Sequence, residues 1–186
     1  MKKLILVLMI AFLMAGCGGE KINNGETTPV EQEKQTQGTT DTTNAPEAKE
    51  PKGYVFEYNS VKIGMDMEAT PIIEALGEPV SYFEAPSCAF EGLDKTYSYG
   101  SFEIDTYEQN GKDYISCIFF CDDLIETPEG VALFETKADM VSAYGETYAE
   151  EYGMFVYEKD GMKLKFILEG DEITSIEYAS TALDVE

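Results

Sequence analysis

The chain of 186 residues contains no histidine, no tryptophan and no arginine; its 13 basic residues are all lysine. Without histidine, Ser-His and Cys-His nucleophile systems are excluded, as are the common zinc sites. The lack of tryptophan weakens the case for a sugar-stacking site. Cations are scarce beside 36 Asp and Glu, and the formal net charge is -23 at pH 7. Such a field repels polyanions, so charge-driven binding to nucleic acid or to an anionic membrane face is disfavoured. Long apolar runs are also missing. Leu4 to Met14 covers 11 residues, about 16 Å of helix against a hydrocarbon core of about 30 Å. It is too short to span a bilayer.

That run instead has the anatomy of a leader: a basic start at Lys2 and Lys3, an apolar middle, and a small-residue exit at Ala15-Gly16. Small residues followed directly by Cys17 resemble the bacterial lipobox, with Met14 where Leu is commoner. The resemblance implies that residues 1–16 are a lipoprotein signal peptide and that Cys17 is acylated and becomes the first mature residue. Two or three acyl chains suffice for stable anchoring, at about 0.8 kcal/mol per buried methylene. The expected location is the cell membrane, lipid-anchored on the extracytoplasmic face. Losing Lys2 and Lys3 takes the formal charge to -25.

From Gly18 to Lys52 the composition shifts to Thr, Glu, Gln, Asn, Pro and Gly, with no aromatic residue. Such a segment buries too little apolar area to offset its ordering entropy, so 17–52 reads as a disordered tether. Its root-mean-square reach is about 30–35 Å.

Residues 53–186 are enough for a domain with a real core. They contain an internal echo. Ala75-Leu76-Gly77-Glu78 aligns with Ala143-Tyr144-Gly145-Glu146, and Ile72-Ile73 aligns with Met140-Val141 at the same offset. Each unit, 53–128 and 129–186, opens with a helix. Thr136 with Asp139 makes a capping box, Gly77 and Gly145 stop the helices, and Pro79 keeps the first from resuming. Period-two alternation follows in Phe102–Tyr107 and Met162–Phe166, with turns at Asn110-Gly111 and Glu169-Gly170-Asp171. The expected fold is α+β: two tandem repeats, each a short helix followed by a three-stranded antiparallel meander. Tyr54 to Tyr58 is a possible extra strand.

A tandem helix-plus-meander with Gly-Met ahead of the helix, LGEP or YGE at its end and a Tyr-x-Tyr strand resembles the β-lactamase-inhibitor-protein-like and SmpA/OmlA-like lipoprotein domains. The resemblance covers about Tyr54 to Tyr178. It implies binding another protein through the open face of the sheet, with no catalysis and no cofactor. No inhibitory residue set carries over by position.

The echo also proposes which residues line that face. With Tyr97 and Tyr99 on Phe155 and Tyr157, and Cys117 and Phe119 on Ile176 and Tyr178, these positions face the helices. The opposite side then carries Thr96, Ser98, Glu103, Asp105, Tyr107, Tyr114, Ser116, Ile118 and Phe120, an aromatic and aliphatic patch dotted with acids. The competing expectation is that Ile118 and Phe120 pack under a loop or against the other repeat.

Of the remaining cysteines, Cys117 and Cys121 lie four apart on one strand, about 13 Å between α-carbons and too far to bond each other. Cys88 bridged to Cys117 or Cys121 is one expectation, and small buried hydrophobes the other. Asp122, Asp123 and Glu126 lack the spacing of an EF-hand loop, so no metal site is expected. The expected function is therefore a lipid-anchored envelope module whose partners are the membrane, through Cys17, and an envelope or extracellular protein. The alternatives are a small extracytoplasmic hydrolase with paired carboxylates between the repeats, or a scaffold component of an envelope assembly.

Overall fold

The computed structural model describes residues 50–88 and 91–184. The leader, Cys17 and nearly all of the tether lie outside the described residues. Chain reversals are set by residue pairs that accept positive φ. Asn59-Ser60, at φ 49° and 65°, folds β1 (Phe56–Tyr58) onto β2 (Val61–Ile63). Asn110-Gly111 joins β5 (Phe102–Gln109) to β6 (Lys112–Phe120), and Asp160-Gly161 joins β8 (Met154–Lys159) to β9 (Met162–Glu169). Two-residue loops with both φ positive twist in the same sense as the strands they connect.

The two helices are short, α1 (Ala69–Leu76) and α2 (Lys137–Tyr144). The capping box of α2 is complete: Asp139 N donates to Thr136 Oγ1 at 3.3 Å, and Thr136 N donates to Asp139 Oδ2 at 3.0 Å. α1 has no side-chain cap, but Pro71 lies in its first turn, where its missing N–H is no loss. Gly77 and Gly145 both close their helices at φ 86° with extended ψ, a region that only glycine enters without strain. Their carbonyls then accept from tyrosines, Tyr99 OH, just after the strand Leu93–Ser98, to Gly77 O at 3.4 Å and Tyr157 OH, within β8, to Gly145 O at 2.7 Å.

The expected pair of three-stranded units is corrected by the sheet itself. Besides the β1–β2 hairpin there is one eight-stranded antiparallel sheet, which also includes β3 (Ser81–Pro86), β4 (Leu93–Ser98), β7 (Ala149–Glu151) and β10 (Glu172–Ser180). Its order is β3-β4-β5-β6-β10-β9-β8-β7. Each helix precedes four strands, not three, and the described chain is mostly β, so α+β applies only loosely. The strands of this sheet missed from sequence are the two edges, and β2 of the hairpin is also not expected from it. β3 has Tyr82 and Phe83 side by side but no alternation and ends at Pro86, and β7 is Ala-Glu-Glu, so neither shows the period-two pattern; both form because an adjacent strand offers a ladder. The two four-strand runs join through β6 and β10, where Tyr178 stands opposite Ile118.

The core lies on one face of this sheet. Phe102, Ile104, Ile118, Phe120, Leu164, Phe166, Ile176 and Tyr178 are all buried there with Ile72 of α1 and Met140 of α2. Phe56 of the hairpin enters the same layer, its ring centroid 5.1 Å from Phe102 and 5.3 Å from Phe120. The expected exposure of Ile118 and Phe120 is thus wrong; they are 0 % and 1 % accessible. The cause is a bulge in β6. The register with β5 passes from Thr106↔Ile115 to Asp105↔Cys117, leaving Ser116 as an extra residue. One extra residue flips every later side chain to the other face. β10 has the same irregularity between Ile173 and Ser175. Hence Ile115-Ser116-Cys117-Ile118 corresponds to Ile173-Thr174-Ser175-Ile176, and Cys117 and Phe119 point away from the helices.

Candidate functional site

The face turned away from the helices is built row by row from the cross-strand pairs. One row runs Phe83, Thr96, Asp105, Cys117, Ala179, Lys163, and the next runs Ser98, Glu103, Phe119, Glu177, Lys165, Val156. Ile167 follows beyond Lys165 on the same side of β9. Phe119 and Ile167 are 39 % and 42 % exposed. They are two exposed apolar positions separated by β10, with Glu177 and Lys165 lying between them in the register and Glu103 on the other side of Phe119.

Polar groups on this face are fixed by their neighbours. Thr96 Oγ1 donates to Asp105 Oδ1 at 2.6 Å, and Lys165 Nζ pairs with Glu177 Oε1 at 2.9 Å. Burial raises the Asp105 carboxyl above its ordinary range; the Thr96 hydrogen bond opposes this, while Glu103, Asp94 and Glu177 add to it. Burial also pushes the Cys117 thiol far up, and the nearby Glu177 and Asp105 carboxylates push the same way. A thiol held protonated is a poor nucleophile and a poor metal ligand.

Of the sequence-predicted site residues, Glu103 and Asp105 lie together on this face. Tyr107 and Tyr114 are paired across β5 and β6 on the same side, their rings tilted by 32° with centroids 5.7 Å apart. Tyr107 is nevertheless buried, because its OH reaches Asp66 Oδ1 at 3.0 Å. Burial, and then that carboxylate, raise its phenol to about 12. Ile118 and Phe120 belong to the core. The residues that sequence reasoning missed are Phe119, Ile167, Lys165 and Glu177. The doublet Ser116-Cys117 between Ile115 and Ile118, echoed by Thr174-Ser175 between Ile173 and Ile176, was the signal that could have found the bulge and so placed Phe119.

The expected disulfide does not form: Cys88, Cys117 and Cys121 are separate thiols. Cys88 lies in the β3–β4 loop, beyond the Pro86↔Leu93 pair, while Cys117 is two strands farther into the sheet than β4, opposite Asp105. Two inter-strand steps alone amount to about 9–10 Å, longer than a disulfide spans. Cys121 is at the other end of β6, its N–H bonded to Ser101 O at 2.8 Å. Asp122, from the candidate acid cluster, accepts from Ser101 Oγ at 2.9 Å and from Leu124 N at 3.0 Å, which closes a turn. Among the described residues no group of three or more Cys, Asp or Glu is placed to hold a metal ion, and no helix is long and apolar enough to cross a membrane.

A depression of about 250 Å³ is lined by Pro51, Lys52, Met65, Asp66, Asp160 and Met162 among others. Its Asp66 already accepts from Tyr107 OH at 3.0 Å and Ser180 Oγ at 2.7 Å. That carboxylate is engaged in joining chain segments. No protein-family profile, curated protein or solved structure matches the chain.

Proposed function

We propose that this chain is a lipid-anchored binding module of the cell envelope that docks another protein on the open face of its eight-stranded sheet. The observation that carries the reading is one-sidedness. Both helices and the β1–β2 hairpin pack on one face, and the other presents Phe119 and Ile167 among paired charges. An uncovered sheet face on which exposed apolar positions alternate with Glu103, Glu177 and Lys165 offers the mixture of apolar and charged groups that protein interfaces use. The resemblance of the short sequence motifs between Tyr54 and Tyr178 to β-lactamase-inhibitor-protein-like and SmpA/OmlA-like lipoprotein domains implies the same mode of action, without a family profile that matches the chain. The lipobox at Cys17 and the polar tether supply anchor and reach.

The test has two arms. Cys17→Ala should abolish incorporation of labelled fatty acid and release the chain from the membrane fraction. A photo-crosslinking amino acid at position 119 of the membrane-bound chain should form a discrete adduct with a protein, and the same probe at Tyr152 should not. Unchanged acylation removes the anchor, and no adduct at 119 removes the docking face.

A further inference from the structure

The eight-stranded sheet is open, and its two edges differ. β7 is three residues long and carries Glu150 and Glu151, which is how natural sheets blunt an edge. β3 is six residues long, and its single charge is Glu84. Tyr82 and Phe83 along it are 48 % and 65 % exposed, and Val80 just before it, its N–H bonded to Ser98 O at 2.8 Å, is 79 % exposed. An edge of this length with exposed apolar side chains is a template for another strand.

The direction of its free backbone groups follows from the ladder. Ser87 N donates to Gly92 O at 3.0 Å, continuing the β3–β4 register by one pair. Antiparallel pairs alternate between bonded and unbonded, so Ala85, Phe83 and Ser81 direct their backbone groups at β4. Tyr82, Glu84 and Pro86 direct theirs outward. Pro86 has no N–H to leave unpaired there, as expected of an edge position.

We propose that β3 is a self-association edge, where two copies of this chain pair antiparallel about a two-fold axis through Phe83 and join their sheets into one. In that register Tyr82 of one copy exchanges both backbone bonds with Glu84 of the other, and Glu84 does the same with Tyr82. Phe83 meets Phe83 at the unbonded position, where opposed side chains approach most closely. Ser81 meets Ala85, two small residues. Glu84 never faces Glu84. Within its own chain Glu84 already accepts from Tyr82 OH, which keeps both side chains on one side of the strand and the backbone edge clear. A two-fold contact requires such self-complementarity, and the pattern of β3 supplies it without a like-charge pair. The strongly acidic composition of the chain as a whole opposes the approach at long range, so association should tighten with added salt.

The experiment uses the full chain in its own membrane with Cys88→Ser and either Phe83→Cys or Tyr152→Cys. Under mild oxidation, Phe83→Cys should give a covalent dimer on non-reducing gels at least tenfold more abundant than Tyr152→Cys, whose position is fully exposed in the β7–β8 turn. In detergent solution, the wild-type chain should sediment at twice the protein mass of Phe83→Lys. Equal linkage at the two positions overturns the proposal, as does a wild-type mass equal to that of Phe83→Lys. Phe119→Lys should leave the sedimenting mass unchanged, so loss of the edge contact and loss of the docking face are read separately.

Discussion

Ile118 and Tyr178 stand opposite each other across the β6–β10 ladder, both with no accessible surface. The pair joins the two four-strand runs at the middle of the sheet. Ile118→Ala should therefore cost about 2–5 kcal/mol in urea denaturation, the range for an isoleucine cut back in a packed core. A cost under about 0.5 kcal/mol, typical of a surface change, would mean that this seam is loose.

How much of this was legible in the sequence depends on the kind of signal. The stop glycines, the Thr136 cap and the Asn110-Gly111 turn are local chemistry, and each sits where the residues place it. Tyr97, Tyr99, Phe155 and Tyr157 also pack on the helix side, as the echo between the halves indicates. The phase of β6 was not legible by counting twos, because Ser116 is a bulge and bulges interrupt that count. The edge strands were illegible for another reason: their pairing is tertiary, and β7 has no β-forming residue of its own.

Asp66 ties together segments distant in sequence, accepting from Tyr107 of β5 and from Ser180 at the end of β10. Tyr107→Phe should lower stability by about 1 kcal/mol, and Asp66→Ala by about 2–3 kcal/mol because two hydroxyls lose a charged acceptor. Chemical denaturation of the two variants beside wild type checks the order. Equal costs would show that Ser180 gains nothing from Asp66.

Asp105 is held on the sheet face with its pKa raised, chiefly by burial. The folded state therefore binds its proton more tightly than the unfolded chain does. The stabilisation that follows is complete below the ordinary carboxyl value of 3.8 and is lost as pH rises through the higher folded value. Asp105→Asn keeps an oxygen to accept from Thr96 and removes the buried charge. Its melting temperature should exceed that of wild type at pH 7, with the gap closing as pH falls towards 4. A gap that widens on acidification would reverse the assignment.

The three thiols of the sheet domain should differ in reactivity and remain unbridged. Cys88 is exposed, whereas Cys117 is partly covered and its thiolate is suppressed by burial and by Glu177. A maleimide at pH 8 should label Cys88 fastest and Cys117 slowest, with Cys117 reaching full labelling in denaturant. A protected pair that becomes reactive only after reduction would show a disulfide and contradict the separation of the three.

The docking face is tested most directly by quantitative capture of envelope and secreted proteins on the membrane-derived chain, comparing wild type, Phe119→Lys and Tyr152→Lys. Each variant must first show a melting curve within a few degrees of wild type. The account predicts that a partner held by wild type and by Tyr152→Lys falls at least tenfold with Phe119→Lys, because a lysine placed in a buried contact must be desolvated there. Equal capture by Phe119→Lys would contradict the open sheet face as the binding surface.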